Sequence, residues 1–180
     1  CAHFHIPLQS GANQVLKKMA RKYDLAYYQA KIDQIRHIFP NVNITTDMMV
    51  GFSGETALDH EEAMQFIQRI GYGEMHIFPY SKRPGTKAYH YPDEVDDVTK
   101  KFRTNEAISI AQDMALQYRQ QFLHEVVEVL VEKVDKNIAY GHTSHYLQVS
   151  FDAKNYKQND LVKVKITKIG YPISKGEIYL

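Results

Sequence analysis

Thr45-Thr46-Asp47-Met48-Met49-Val50-Gly51-Phe52-Ser53-Gly54-Glu55-Thr56 reads as a buried strand that breaks at two glycines and launches a helix beginning at Thr56. A chain builds a ligand site at the carboxyl end of a parallel strand in this way. Gly51 and Gly54 lack a Cβ, so the backbone there can turn sharply and lie flush against a planar ligand. Glu55 and Thr56 then stand where helix-terminal amides need an acceptor. The same string is also compatible with a plain strand-to-helix turn, so the flanking sequence has to decide between the two.

Upstream, residues 3–9 form a short strand ending at Ser10-Gly11, and Val15, Leu16 and Met19 mark helical turns. Asp24 can cap a second helix whose stripe Tyr28, Ile32, Ile35 and Phe39 has the spacing of one buried face, closed by Pro40. Downstream of the opening stretch, a helix buries Phe66, Ile67 and Ile70, and Gly71-Tyr72-Gly73 ends it. Residues 75–80 are a third strand, leading into the turn Ser81-Lys82-Arg83-Pro84-Gly85-Thr86. A long helix follows, with Val98, Phe102, Ile108, Ala111, Ala115, Tyr118 and Phe122 recurring at three and four residues. Strand and helix thus alternate as βαβ units, which predicts an α/β fold with a right-handed parallel layer or part of a (β/α) barrel. The breaks at residues 9–11, 51–56 and 80–86 then fall on one rim, at the carboxyl ends of the strands where ligands belong.

Past His124 the period changes to two. Val127, Val129 and Val131, then Leu147, Val149 and Phe151, then Val162, Val164 and Ile166 alternate with polar or charged neighbours. This pattern predicts short antiparallel strands with one wet face, as in a small all-β barrel. On that face Tyr146, Lys163 and Lys165 combine stacking surface with phosphate-binding charge, the pairing used by sequence-tolerant RNA binders. The expected division is residues 1–123 for the α/β part and 124–180 for the barrel.

The 180 residues, 44% of them hydrophobic, suit one modest domain or two small ones. No run approaches the ~20 apolar residues of a membrane span, and no secretory signal opens the chain, so a cytoplasmic setting is expected. The single cysteine, Cys1, excludes a disulfide framework and any cluster needing several thiolates from this chain. Net charge is +1, but Lys154, Lys157, Lys163, Lys165, Lys168 and Lys175 are opposed over their stretch only by Asp160, a footprint suited to a polyanion. His3, His5 and His76 invite a metal reading, yet no carboxylate or thiolate is placed by the sequence to complete a set, and no metal site is expected. Met19, Met64 and Met114 read as core filling.

Four stretches, His5-Ile6-Pro7-Leu8-Gln9-Ser10-Gly11, residues 16–23, residues 46–56 and Phe78-Pro79-Tyr80-Ser81-Lys82-Arg83-Pro84-Gly85-Thr86, resemble successive motifs of the radical S-adenosylmethionine tRNA methylthiotransferases. The last third resembles their TRAM domain, a small OB-like RNA-binding barrel. Residues 76–81 resemble the branch that methylthiolates threonylcarbamoyladenosine beside the anticodon, with the isopentenyladenosine branch as the alternative. The family's glycine turn usually has proline where this chain has Ser53. Its cluster-binding cysteines, which hold two iron–sulfur clusters, have no counterpart here. The resemblance therefore implies a carboxyl-terminal half: a partial radical S-adenosylmethionine barrel, inactive alone, followed by an RNA-docking barrel.

By the same resemblance, Gln9 and Ser10 face the methionine or ribose portion of S-adenosylmethionine. Gly51, Phe52, Gly54 and Glu55 present the glycine turn to the adenine, and Phe78 and Tyr80 close the other side of this partial pocket. Asp47, a carboxylate in an apolar strand, is a candidate substrate contact or the partner of an ion pair with Arg21. Arg83 is a candidate contact to tRNA phosphate or the cofactor. A non-catalytic RNA-binding module is a rival reading, as is an unrelated α/β enzyme using Asp47 and His5 as acid and base. The strand near His3 would expose an open parallel edge, inviting self-association.

Overall fold

Residues 1–179 are described by a computed structural model. The elements run β1 (His3–His5), α1 (Asn13–Lys18), α2 (Leu25–Ile38), β2 (Asn43–Val50), α3 (Ala57–Ile70), β3 (Glu74–Pro79) and α4 (Asp97–Gln120). Strands β4 (Val126–Asp135), β5 (Ile138–Thr143), β6 (Gln148–Asp152), β7 (Leu161–Lys168) and β8 (Ile173–Ile178) complete the chain. One compact unit is made from residues 5–40 and 44–114, the other from residues 1–4, 41–43 and 115 onward.

A parallel sheet has the order β1-β2-β3, and in the first unit Asp47 stands opposite His76 and Met49 opposite Phe78. Ile44, Met48 and Val50 point into the core, and the alternate residues Asp47 and Met49 line a partly open face. The expected strand over residues 3–9 is only three residues long, and the ladder resumes as a single bridge from Gln9 to Met48. Pro7 has no N–H to donate, and Gln9 at φ 69° has left the extended region, so regular pairing cannot continue.

Asp24 caps α2 by accepting from the Tyr27 amide at 2.8 Å. The stripe expected on that helix buries Tyr28 and Ile32 but not Phe39, which follows the last turn at φ −127° and has swung out to solvent. Helix α3 opens with a reciprocal capping box. The Thr56 hydroxyl accepts from the Asp59 amide, and the Asp59 carboxylate takes the Thr56 N–H at 2.9 Å. Thr56→Ala is expected to lower stability by about 1 kcal/mol, read as a lower urea midpoint at unchanged slope.

The expected stripe holds at Ala111, Ala115 and Phe122, which are buried, and is corrected in the first turns of helix α4. Val98 and Phe102 are 81% and 67% exposed, whereas Lys100, Arg103, Ala107, Ala111, Met114 and Ala115 are buried. Long cationic side chains lay their hydrocarbon stems on the core while their heads find carboxylates, so charge at these positions does not mark the wet face.

In the second unit five strands close into a barrel of order β4-β5-β6-β8-β7. Val129, Val131, Val149, Phe151, Val162, Val164 and Ile166 fill its interior, as their alternation requires. Closure is not wholly antiparallel: β6 and β8 run parallel, joined from Gln148 opposite Ile173 to Ser150 opposite Lys175. A bulge in β4 between Val131 and Lys133 bends the strand where Gly141 of β5 lies against the Leu130 carbonyl.

Candidate functional site

The three strand termini of the first unit meet at the end of β2. Met49 N donates to the Gln9 carbonyl at 2.9 Å, and Tyr80 N donates to the Val50 carbonyl at 2.8 Å, one residue before Gly51. Beside this rim lies a cavity of about 360 Å3 lined by Met49, Phe52, Phe78, Tyr80, Arg83 and neighbouring loop residues. The Phe52 and Tyr80 rings lie 4.8 Å apart, and Tyr91 from the following loop meets Phe52 edge-on at 6.2 Å. The hydroxyl of Tyr80 is buried and has no hydrogen-bond partner among the described residues.

Gly51 and Gly54 are both left-handed, at φ 73° and 74°, as the turn requires. Their bare faces are covered by side chains. A Cβ on Gly51 would come within 2.5 Å of Lys100 Cγ, and one on Gly54 would strike Lys18 Nζ, which also donates to the Gly54 carbonyl at 2.6 Å. Glu55 does not cap α3. Both its carboxylate oxygens accept from the Gly51 amide at 3.1 Å, and Arg103 donates to Oε1 at 2.8 Å and to the Glu55 carbonyl at 3.0 Å. Burial raises the Glu55 carboxyl above the usual range despite the opposing pull of the Gly51 amide and Arg103. His60 extends the network, 4.0 Å from Glu55 on one side and 2.8 Å from Glu106 on the other. Burial pulls Lys100 down, but hydrogen bonds to Glu94 and Asp97 win and hold its ammonium above its ordinary range.

Gln9 keeps its side chain on Arg21, which donates to Oε1 at 3.0 Å, and the buried Ser10 hydroxyl accepts from the Ala12 amide at 3.3 Å. The suggested pairing of Asp47 with Arg21 is therefore replaced. Asp47 Oδ2 lies 3.3 Å from His5 Nε2, whose Nδ1 is 3.0 Å from the Thr45 hydroxyl. His76 stands opposite Asp47 in the sheet, with its ring 6.1 Å from that of His5.

On the barrel, Tyr146 stacks with His3 and with His142, each at 4.6 Å between ring centres, and His142 is tied to Glu132 at 2.8 Å. Lys163 and Lys165 are exposed, but Glu128 stands opposite Lys163 and Glu177 opposite Lys165. The lysine face thus alternates in sign rather than forming a uniform basic strip.

No family model matches the chain. The threonylcarbamoyladenosine tRNA methylthiotransferase MtaB of Bacillus subtilis is 37% identical over 180 residues, 97% of this chain and 40% of that protein. A tRNA-2-methylthio-N(6)-dimethylallyladenosine synthase of Flavobacterium johnsoniae is 40% identical over 181 residues, 98% of this chain and 38% of its own length. The synthase of the same name from a Thermoanaerobacter species is 37% identical over 99% of this chain and 38% of its own. The chain belongs to the tRNA methylthiotransferase family.

It spans about two fifths of the length of the curated methylthiotransferases it matches. Both substrate names occur among relatives of comparable identity, so family membership does not choose between the threonylcarbamoyl and dimethylallyl nucleosides. The iron–sulfur clusters that the resemblance implies require several thiolates, and the one thiol of this methylthiotransferase sequence donates to the Ser144 carbonyl at 3.2 Å. Among the described residues no group of three or more His, Cys, Asp or Glu is placed to hold a metal ion, and no helix is long and apolar enough to cross a membrane. The sequence reading missed Lys18, Lys100, Arg103 and His60, which hold the glycine turn from other elements; a basic residue on an otherwise small-residue helix face was the available signal at Arg103.

Proposed function

We propose that this chain is the part of a radical S-adenosylmethionine tRNA methylthiotransferase that supplies one wall of the cofactor pocket and the tRNA-docking barrel. The similarity to methylthiotransferases over 97–99% of the chain carries this reading. The α/β unit, residues 1–123 as the sequence divides it, is a partial (β/α) barrel, and residues 124–180 are a TRAM domain in a cytoplasmic protein. The aromatic cavity beside Gly51 and Tyr80 takes an adenosine-type group, with Phe52 and Phe78 against the ring and Gln9 and Ser10 toward the remainder of the cofactor. S-Adenosylmethionine, when bound, supplies a methyl group and a radical; the residues here orient it and shield it from water. Lacking cluster thiolates, the chain alone does not turn over. The substrate is N6-threonylcarbamoyladenosine in tRNA: the polar face of His5, Asp47 and His76 next to the cavity suits a polar N6 substituent better than a hydrocarbon one.

Two measurements test this reading. Mass analysis of nucleosides from the tRNA of a host supplied with the gene encoding this sequence should reveal the methylthio derivative of threonylcarbamoyladenosine; the dimethylallyl product would establish the second reading, and neither product would defeat both. Binding of tRNA to the chain should weaken as salt rises, with Lys163→Ala and Lys165→Ala each lowering the slope of log K against log salt by about one. An unchanged slope would remove those lysines from the interface.

A further inference from the structure

The outer wall of the barrel carries more than lysines. Register partners on an antiparallel ladder share a face, and between β4 and β7 the outward pairs are Val126 with Lys165, Glu128 with Lys163 and Leu130 with Leu161. Leu130 is 45% exposed and Leu161 62%, so two leucines stand side by side on a wet surface. Glu128 and Lys163 lie directly across the ladder, yet neither forms an ion pair among the described residues. A free carboxylate, a free ammonium and an apolar pair thus occupy adjacent rows, roughly 6.6 Å apart along the strands.

This pattern is self-complementary. A two-fold axis laid along the strands, midway between β4 and β7, turns a second copy over so that its β7 faces β4 of the first while every row keeps its height. Leu161 of each copy then meets Leu130 of the other, Lys163 meets Glu128, and the stem of Lys165 lies on Val126. Each contact occurs twice, as it does in every isologous interface. We infer that the β4–β7 face of the barrel is a docking surface for a second copy of this chain. An occupant has to offer an acid opposite Lys163, a base opposite Glu128 and an apolar side chain opposite each leucine, and this same face meets all three requirements. A barrel wall is convex, so contact centres on one ladder and falls at the small end of specific interfaces, which makes the dimer a reversible one. The proposed function gives Lys163 and Lys165 to tRNA, so a second copy and tRNA exclude one another on this face. The interface itself does not rest on that reading.

Sedimentation equilibrium of the full 180-residue chain tests the interface. The expected result is a monomer–dimer equilibrium that weakens as salt rises. Leu161→Gln should raise the dissociation constant at least about tenfold; the side chain is exposed, so the fold survives its loss, which circular dichroism checks. The charge reversals are the most discriminating step. Glu128→Lys makes the charged row wholly basic and Lys163→Glu makes it wholly acidic, so each variant alone should stay monomeric. Mixed in equal amounts, the two should associate as a heterodimer, because each supplies the sign that the other lacks. A folding defect cannot imitate that recovery. A monomer at every concentration up to roughly millimolar overturns the proposal, as does a dimer of unchanged strength in Leu161→Gln or a failure of the mixed variants to associate. Added tRNA should return the dimer to monomer. A dimer that keeps its charge-reversal behaviour with tRNA bound upholds the interface and overturns tRNA docking at Lys163 and Lys165.

Discussion

Arg103→Met is expected to destabilise the α/β unit by about 3–5 kcal/mol, because it leaves the Glu55 carboxylate buried without its partner. The Glu55 and Arg103 side chains are 4% and 9% exposed, so water cannot take over the arginine's role. The effect has a pH signature. Burial already holds the Glu55 carboxyl above its unfolded value, and removing Arg103 raises it further. A carboxyl whose folded pKa is raised favours the fold fully below its unfolded pKa and loses that contribution as pH rises through the folded pKa. The gap between parent and variant should therefore be widest at neutral pH and shrink as pH falls toward the ordinary carboxylate range. Urea denaturation of both proteins across that range checks it; a gap independent of pH would mean that Arg103 acts by packing alone. Arg103→Met combined with Glu55→Gln should recover much of the loss, since an apolar and neutral pair needs no counter-charge.

Gly141→Ala carries the second large effect, a loss of about 3 kcal/mol at the upper end of overpacking costs. The added methyl would meet the Leu130 carbonyl, and behind it the Val129 side chain at 3.0 Å. A side chain can yield by changing rotamer, whereas a carbonyl pinned in a bulged ladder cannot. Thermal melting of the barrel signals by NMR would report the loss, and a neutral substitution would mean that the bulge at Val131 relaxes on its own.

Local chemistry written in adjacent residues was legible. The Asp24 cap and the glycine turn each depend on neighbours a few residues apart, and the interior of the barrel follows from strict alternation of valines. Pairings across long separations were not. Arg103 meets Glu55 across 48 residues and His60 meets Glu106 across 46, and the helix face that marks Arg103 does not say which carboxylate it meets. Strand β8, interrupted by Gly176 and with no alternating apolar run, gives no period-two signal, yet closure of the barrel depends on it. The stripe on α4 misled for a different reason. Counting Val98 and Phe102 as the buried face assumes that apolar means inside, and here the stems of Lys100 and Arg103 fill that space instead.

The two bends at Gly51 and Gly54 differ in how they could be approached. Lys100 lays its stem over the first, with its ammonium held between Glu94 and Asp97. Lys18 is solvent-facing and anchored by one carbonyl contact, so it can swing away within nanoseconds. The carbonyl of Gly54 is thus reachable by rotation of one side chain, while its N–H stays on the Asp93 carbonyl of the following loop, and a visitor carrying an acceptor could keep the displaced ammonium as its own partner.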